Sequence, residues 1–262
     1  ALSPLPFSLY ATASAFAVYF CMYAFRKPFA VASYEGQVDG LLGMPPIDLK
    51  ILFIVAQVIG YCLSKFIGIK VISEMSAARR ALALVGALTT AELALVGFAL
   101  TPAPYNAIWM FVNGLPLGMV WGLVFAYLEG RRITEALGAG LSASYIVASG
   151  AVKSVGRVVL DWGVSEYWMP ALTGLLFSLP MLLVVFLLSQ LPPPTAEDQQ
   201  ARTKRAPMDA KARKAFLLRY GPGLFLLTFL YIFLTAYRDF RDNFARELWD
   251  ALGYANAPSI FA

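Results

Sequence analysis

Seven apolar runs, each long enough to cross a bilayer, dominate this chain and restrict its fold before any other feature does. A spanning helix needs about 20 predominantly apolar residues. The first run extends from about Phe7 to Ala32, interrupted by Arg26-Lys27-Pro28. The others cover about Leu49 to Ile72, Ala81 to Leu100, Ala107 to Leu128, Leu137 to Leu160, Trp168 to Leu188, and Phe216 to Tyr237. Pro102-Ala103-Pro104-Tyr105-Asn106 forms the turn that closes the third. Only 14% of the 262 residues are charged, against about 25% in soluble domains. The surplus apolar side chains therefore face lipid as well as a core. The pattern predicts an all-α, polytopic membrane protein. The first run lacks an A-x-A cleavage site and carries Arg-Lys, so it reads as a span and not as a signal peptide.

Six basic side chains lie inside or at the edge of these runs: Arg26, Lys27, Lys65, Lys153, Arg157 and Arg238. The same runs hold one clear acid, Glu92. A charge at bilayer depth costs about 2.5–3.5 kcal/mol on insertion scales. A cationic excess where lipid disfavours it points to a polar pathway for an anion. Arginine offers a rigid planar fork that fits two oxygens of a phosphate or carboxylate. Each residue also has a plainer role open to it. Arg26 is alternatively an interface anchor that snorkels. Lys27, next to it, does not share its helix face. Arg238 has Asp239 and Asp242 nearby for a structural ion pair. Lys65 is a site residue or a snorkelling lysine. Lys153 and Arg157 share one face; Arg157 has Asp161 a turn on, whereas Lys153 has no local acid and is the better substrate candidate. Glu92, near the middle of its run, either exchanges protons or pairs with a cation. Gln57, Asn113 and Tyr127 are weaker candidates for hydrogen bonds in a pore.

Several function classes drop out of the expectation. Histidine is absent, which removes the commonest metal ligand and the usual neutral-pH base. Cys21 and Cys62 lie in apolar segments and are too few for a disulfide framework or a zinc site. No glycine loop shaped to cradle phosphate occurs. An enzyme is not expected, nor a cofactor, a metal or a nucleic-acid partner. The expected partners are a small anionic substrate and membrane lipid, with the chain a monomer.

Basic residues in loops set the orientation. Lys70, Arg79, Arg80, Arg131, Arg132, Arg202, Lys204, Arg205, Lys211, Arg213 and Lys214 fall on one side. Lys50 falls on the other, with Glu35, Asp39, Asp48 and Glu166. The first side is therefore the cytoplasmic one, with the N-terminus inside and the end of the seventh span outside. The stretch from Leu191 to Lys214 opens with Pro192-Pro193-Pro194 and continues polar and basic, as a cytoplasmic linker does; anionic headgroups would attract it. Small residues recur at helical spacing: Gly60, Ser64 and Gly68; Gly114, Gly118 and Gly122; Gly138, Ser142, Gly150 and Ser154. Such faces let helices approach closely.

Two motifs repeat across the chain. The first span ends Tyr19-Phe-Cys-Met-Tyr-Ala-Phe-Arg26-Lys27, and the seventh ends Tyr231-Ile-Phe-Leu-Thr-Ala-Tyr-Arg238-Asp239. Without gaps, Tyr19 aligns with Tyr231, Ala24 with Ala236 and Arg26 with Arg238. From the start of one motif to the next the chain completes six spans and then a basic linker, the layout of a transporter built from two parallel six-helix halves. On these residues the chain resembles the major facilitator superfamily, and within it the organophosphate:phosphate antiporter branch. The resemblance rests on Tyr23-Ala-Phe-Arg26-Lys27-Pro28-Phe29, on Ser64-Lys65-Phe66 followed by Gly68, and on Arg238. It implies a six-helix N-terminal bundle over 1–190, a linker over 191–214, and the first helix of a second bundle over 215–262. It also implies that Arg26 and Arg238 grip the substrate phosphate, with Lys65 as a neighbouring charge. The branch carries a histidine in the fifth helix that this chain lacks; Lys153 lies about a turn beyond. Its gating motif after the second helix is reduced here to Glu74 with Arg79-Arg80. Three further segments, Asn113 to Gly118, Tyr127 to Arg132 and Arg238 to Asn243, depart from the antiporters and suggest a separate bacterial family. The implied function is secondary transport of a small organic or phosphorylated anion in a bacterial inner membrane. The alternative is a non-transporting sensor or scaffold with a transporter fold. Twelve spans would need roughly 400 residues at about 20 per span plus loops, so the chain is expected to be a fragment cropped at both ends.

Overall fold

The computed structural model describes residues 4–39, 45–201 and 210–254. Among them, seven helical segments are long and apolar enough to cross a membrane. They are built on α1 (Pro4–Met22), α2 (Leu49–Ser73), α3 (Ala77–Leu100), α4 (Ala107–Leu128), α5 (Thr134–Asp161), α6 (Met169–Ser189) and α8 (Ala210–Asn243). Two short helices, α7 (Ala196–Ala201) and α9 (Ala245–Ala251), follow the sixth and seventh. Two antiparallel two-residue strands, β1 (Gln37–Val38) and β2 (Ile47–Asp48), pair ahead of α2. By helix length and hydropathy this is an all-α, multi-pass membrane protein.

Six of the seven runs appear as uninterrupted helices whose ends exceed the apolar stretch by a few residues. The excess is largest in α8, which adds charged residues at both ends. Backbone hydrogen bonding continues where the side chains turn polar, and hydropathy alone does not register that. The first run behaves differently. After Met22 the chain tightens into a 3-10 turn at Tyr23–Phe25, and the N–H groups of Arg26 and Lys27 both donate to the Tyr23 carbonyl, at 3.0 and 2.9 Å. A second 3-10 turn follows at Pro28–Val31. Pro28 has no N–H to donate, so the ladder ends before it. Carbonyls freed by such a break need partners in an apolar medium. Gln57 Nε2 donates to the Arg26 carbonyl at 3.1 Å, and Asn113 Nδ2 to the Phe25 carbonyl at 3.0 Å.

The small residues of α2 and α4 face one another. A methyl group at Gly60 would overlap the Phe111 carbonyl, and one at Gly114 would overlap the Gln57 carbonyl. The two backbones therefore touch, which supplies packing where lipid removes the hydrophobic drive. Helix α1 packs on α4, α5 and α6, and α3 lies against α4 and α6. A core of Ala11, Ala15, Val18, Met22, Leu117, Val120, Leu141 and Val152 fills the space between them. A second core, around Tyr34, Phe53, Phe98 and Met110, sits under the loop after the second 3-10 turn. Glu166 anchors that loop by accepting from the N–H groups of Ser33 and Tyr34 at 3.1 and 2.9 Å.

The linker is tied to the opposite end of the bundle. Arg131 donates to the Pro192 carbonyl, and the N–H of Arg132 donates to Asp198 Oδ1 at 2.9 Å. The backbone N–H groups of Arg132 and Thr195 hold the Asp198 carboxyl below the usual carboxylate range. The part of the expected linker at 202–209, and the end of the chain beyond residue 254, lie outside the described residues. Helix α8 is unlike the other six. Asn243, in its final turn, is its buried residue, and Phe225, Leu227, Phe229 and Phe233 are exposed along its length.

Candidate functional site

The break after α1 presents Arg26 and Lys27 to the neighbouring helices, and the two side chains go different ways. The Arg26 guanidinium lies over the Tyr61 ring of α2, 3.9 Å from its centroid. The Lys65 ammonium approaches the same ring at 4.9 Å. Lys65 is one turn beyond Tyr61 on α2, and the two cations converge on a single aromatic ring. Cation–π attraction of this kind contributes about 0.5–2 kcal/mol per cation. It leaves the positive charge unneutralised. Among the described residues, neither cation has a carboxylate within ion-pairing distance, and the buried Nε of Arg26 has no hydrogen-bond partner. Tyrosines surround the pair: Tyr19 lies against Tyr23 and Tyr145, with ring centroids 5.6 and 5.1 Å apart. The arrangement offers an anion two cations, hydroxyl donors and aromatic walls.

Lys27 turns inward and is buried. It meets Asp242 Oδ2 from the last turn of α8 at 2.5 Å and donates to Asn243 Oδ1 at 3.1 Å. Lys153 of α5, also buried, reaches the other oxygen of Asp242 at 2.5 Å and donates to the Asp242 carbonyl. Ser149, one turn before Lys153, donates to the same carboxylate at 2.5 Å. One acid thus joins two lysines from different elements, and the cluster fixes the end of α8 to the bundle. A second set of contacts extends the attachment. Lys50 at the start of α2 pairs with Glu247 of α9, and Arg246 donates to the Val31 carbonyl at 3.0 Å.

The remaining site candidates are placed as follows. Arg238 is exposed on α8 and pairs with its neighbour Asp239 at 3.4 Å. It lines a shallow hollow with Tyr231, Leu234, Thr235, Tyr237 and Arg241. Arg157 pairs with Asp161 at 3.3 Å on α5. Glu92 stands apart from all of these, at the contact of α3 with α6. Gln57 and Asn113 form a buried amide pair, Gln57 Nε2 donating to Asn113 Oδ1 at 2.9 Å.

Sequence reasoning missed Asp242 as the partner of Lys27 and Lys153. Its spacing four residues after Arg238 suggested a pair within one helix, and the structure uses Asp239 there instead. Lys50, Arg246 and Glu247 carried no signal as a set, because their proximity depends on α9 folding back over the bundle end. The tyrosines were visible only as a tyrosine-rich first span.

The family assignment follows from the sequence as a whole. A family model described as a family of unknown function, DUF5690, matches residues 28–262. The chain belongs to DUF5690. The match takes in Lys65, Glu92, Lys153, Arg238 and Asp242, and begins two residues after Arg26. Nothing among the curated proteins or the solved structures matches this DUF5690 chain.

Proposed function

We propose that this protein is a secondary transporter that moves a small organic or phosphorylated anion by alternating access, and that it is not an enzyme. The observation that carries the reading is the convergence of Arg26 and Lys65 on Tyr61 with no carboxylate within ion-pairing distance among the described residues. Two cations midway along α2, without an ion-pair partner among the described residues, are costly at membrane depth, and an oxyanion offsets that cost by accepting charge-assisted hydrogen bonds from both. The guanidinium fork takes two oxygens of the anion, the ammonium takes a third, and the tyrosine hydroxyls complete the set. Arg238 contributes from α8, where it is exposed beside Asp239.

The architecture proposed for this activity is the major-facilitator one. Helices α1 to α6 form the N-terminal bundle, and α8 is the first helix of a second bundle. The membrane is a bacterial inner membrane with the N-terminus in the cytoplasm, which puts the Lys27–Asp242–Lys153 cluster at the outer end. There the ion pairs hold α8 against the first bundle and favour a state closed to the outside. An anion drawn toward Lys153 competes with Asp242 for that lysine and loosens the closure, so binding and opening are linked.

The test is calorimetric titration of phosphate esters into the detergent-purified protein, followed by uptake of the labelled esters into proteoliposomes. The expected result is saturable binding that Arg26→Glu abolishes while circular dichroism shows the helices intact. Unchanged affinity in a folded Arg26→Glu variant overturns the anion site. Binding without flux or exchange supports instead a sensor with a transporter fold.

A further inference from the structure

Glu92 is a membrane-embedded acid to which the anion site gives no role. It lies midway along α3, twelve residues past Arg80, the last basic residue of that helix. Its carboxylate rests against α6 at Gly174. A methyl group there would overlap Oε2, and the Phe25 ring borders the same spot. Oε2 is fully buried and has no hydrogen-bond partner among the described residues. The residue as a whole keeps part of its surface exposed at the edge of the bundle.

Among the described residues, the surroundings offer no counter-charge. Helix α3 packs on α4, on α6 and on the 3-10 turn that precedes Arg26. Helix α6 contains no titratable residue, and α4 contains only Tyr127, near its far end. The 3-10 turn brings Tyr23, with Arg26 directly after it, and Arg26 is turned toward Tyr61 on α2. A carboxylate in an apolar setting without a cation or donors is strongly disfavoured, and it takes up a proton instead.

The polar contacts of the bundle also connect this acid to the anion site. Asn113 Nδ2 donates to two carbonyls, that of Phe25 at 3.0 Å and that of Ala91 at 3.1 Å. These belong to the residues immediately before Arg26 and immediately before Glu92. Gln57 Nε2 in turn bridges Asn113 and the Arg26 carbonyl. The Phe25 ring fills the space beside the acid. A shift of the Arg26 segment on anion binding therefore moves the wall of the Glu92 pocket and pulls on the backbone that carries it.

We infer that Glu92 is a proton-carrying site, kept as the neutral acid beside Gly174 and linked to anion occupancy at Arg26. The linkage half of this rests on the transport reading above and makes that transport proton-coupled. One proton joins Glu92 from water on the side where the anion enters, and the carboxylic O–H bond breaks to return it to water on the side where the anion leaves. Gly174 is the positioning residue, since a larger side chain there would displace the carboxyl.

The test uses the full chain in lipid, with infrared difference spectroscopy and inorganic phosphate as the probe. The expected wild-type spectrum contains the C=O band of a protonated carboxylic acid at neutral pH. Glu92→Gln removes that band, and phosphate shifts it in the wild type. In proteoliposomes, Glu92→Gln keeps phosphate binding and exchange but loses the accumulation driven by a pH gradient. If Glu92→Gln leaves the spectrum unchanged, Glu92 carries no proton and the inference is overturned. A Glu92 band that phosphate leaves unmoved, in protein shown calorimetrically to bind phosphate, overturns the linkage. Absence of phosphate binding defeats the anion reading and the linkage with it, and the Glu92 band still decides the protonation. Gly174→Ala, which keeps the carboxyl but fills its pocket, is expected to shift the band in a folded protein.

Discussion

Arg26 and Lys27 are neighbours in the chain and meet opposite surroundings. The guanidinium lies on an aromatic ring beside a second cation, without an acid. The ammonium is buried against Asp242, which it shares with Lys153. The first arrangement is poor at holding a fold together and good at receiving an anion. The second joins three elements and commits both lysines to one carboxylate within the chain. The chain thus separates binding from holding within two adjacent residues, by breaking the helix at the point where they occur. In a continuous helix their side chains would point about 100° apart on one cylinder. The 3-10 turn and Pro28 send one toward α2 and the other toward α5 and α8.

The largest effect that tests this contrast is on stability. Asp242→Asn leaves two buried lysines without their carboxylate, and breaking a buried pair from one side costs about 3–5 kcal/mol. A marked fall in the melting temperature of the purified protein is expected, together with faster hydrogen exchange in α9. A melting temperature within error of the wild type would mean that the cluster holds nothing. Next in size is Arg26→Lys, which keeps the charge over Tyr61 and removes the fork. Loss of one charge-assisted hydrogen bond is worth about 1.5–3 kcal/mol, so anion affinity measured by calorimetry should fall roughly 10–100-fold while the melting temperature stays put. Equal losses in both measurements would erase the distinction between the two residues. The smallest effect is at Lys50→Gln. Its partner Glu247 is 43% exposed, and an exposed pair contributes about 0–1 kcal/mol. Hydrogen exchange should show α9 loosened while the bundle itself stays protected. Collapse of the whole bundle would show that α9 does more than cover its end.

The regions differ as much in how far they can be read from sequence as in what they do. Helix positions follow from apolar length, because lipid permits few other structures, and α2 to α6 fall within a few residues of the expected runs. The contact of Gly60 and Gly114 across α2 and α4 was implicit in the spacing of small residues. Lys65 was expected as a charge neighbouring Arg26, though the ring they share was not. Asp242 was assigned to the wrong neighbour, because spacing along a helix registers partners three and four residues away and is blind to partners from other helices. Lys27 was expected to point away from Arg26, and it does; its partner Asp242, more than 200 residues on, was beyond the reach of helix spacing.

By itself the sequence determined that this chain is a multi-pass helical membrane protein with an excess of cations in its apolar runs. Both properties follow from composition along one dimension, where length and hydropathy act locally. Only the tertiary structure decided which cations are neutralised and which are left open. That choice depends on the α8 end approaching Lys27 across 216 residues of chain and Lys153 across 89, and on Tyr61 lying under Arg26. Charge compensation acts through space, so residues of one type and adjacent number acquire different work from the neighbours that folding brings to them.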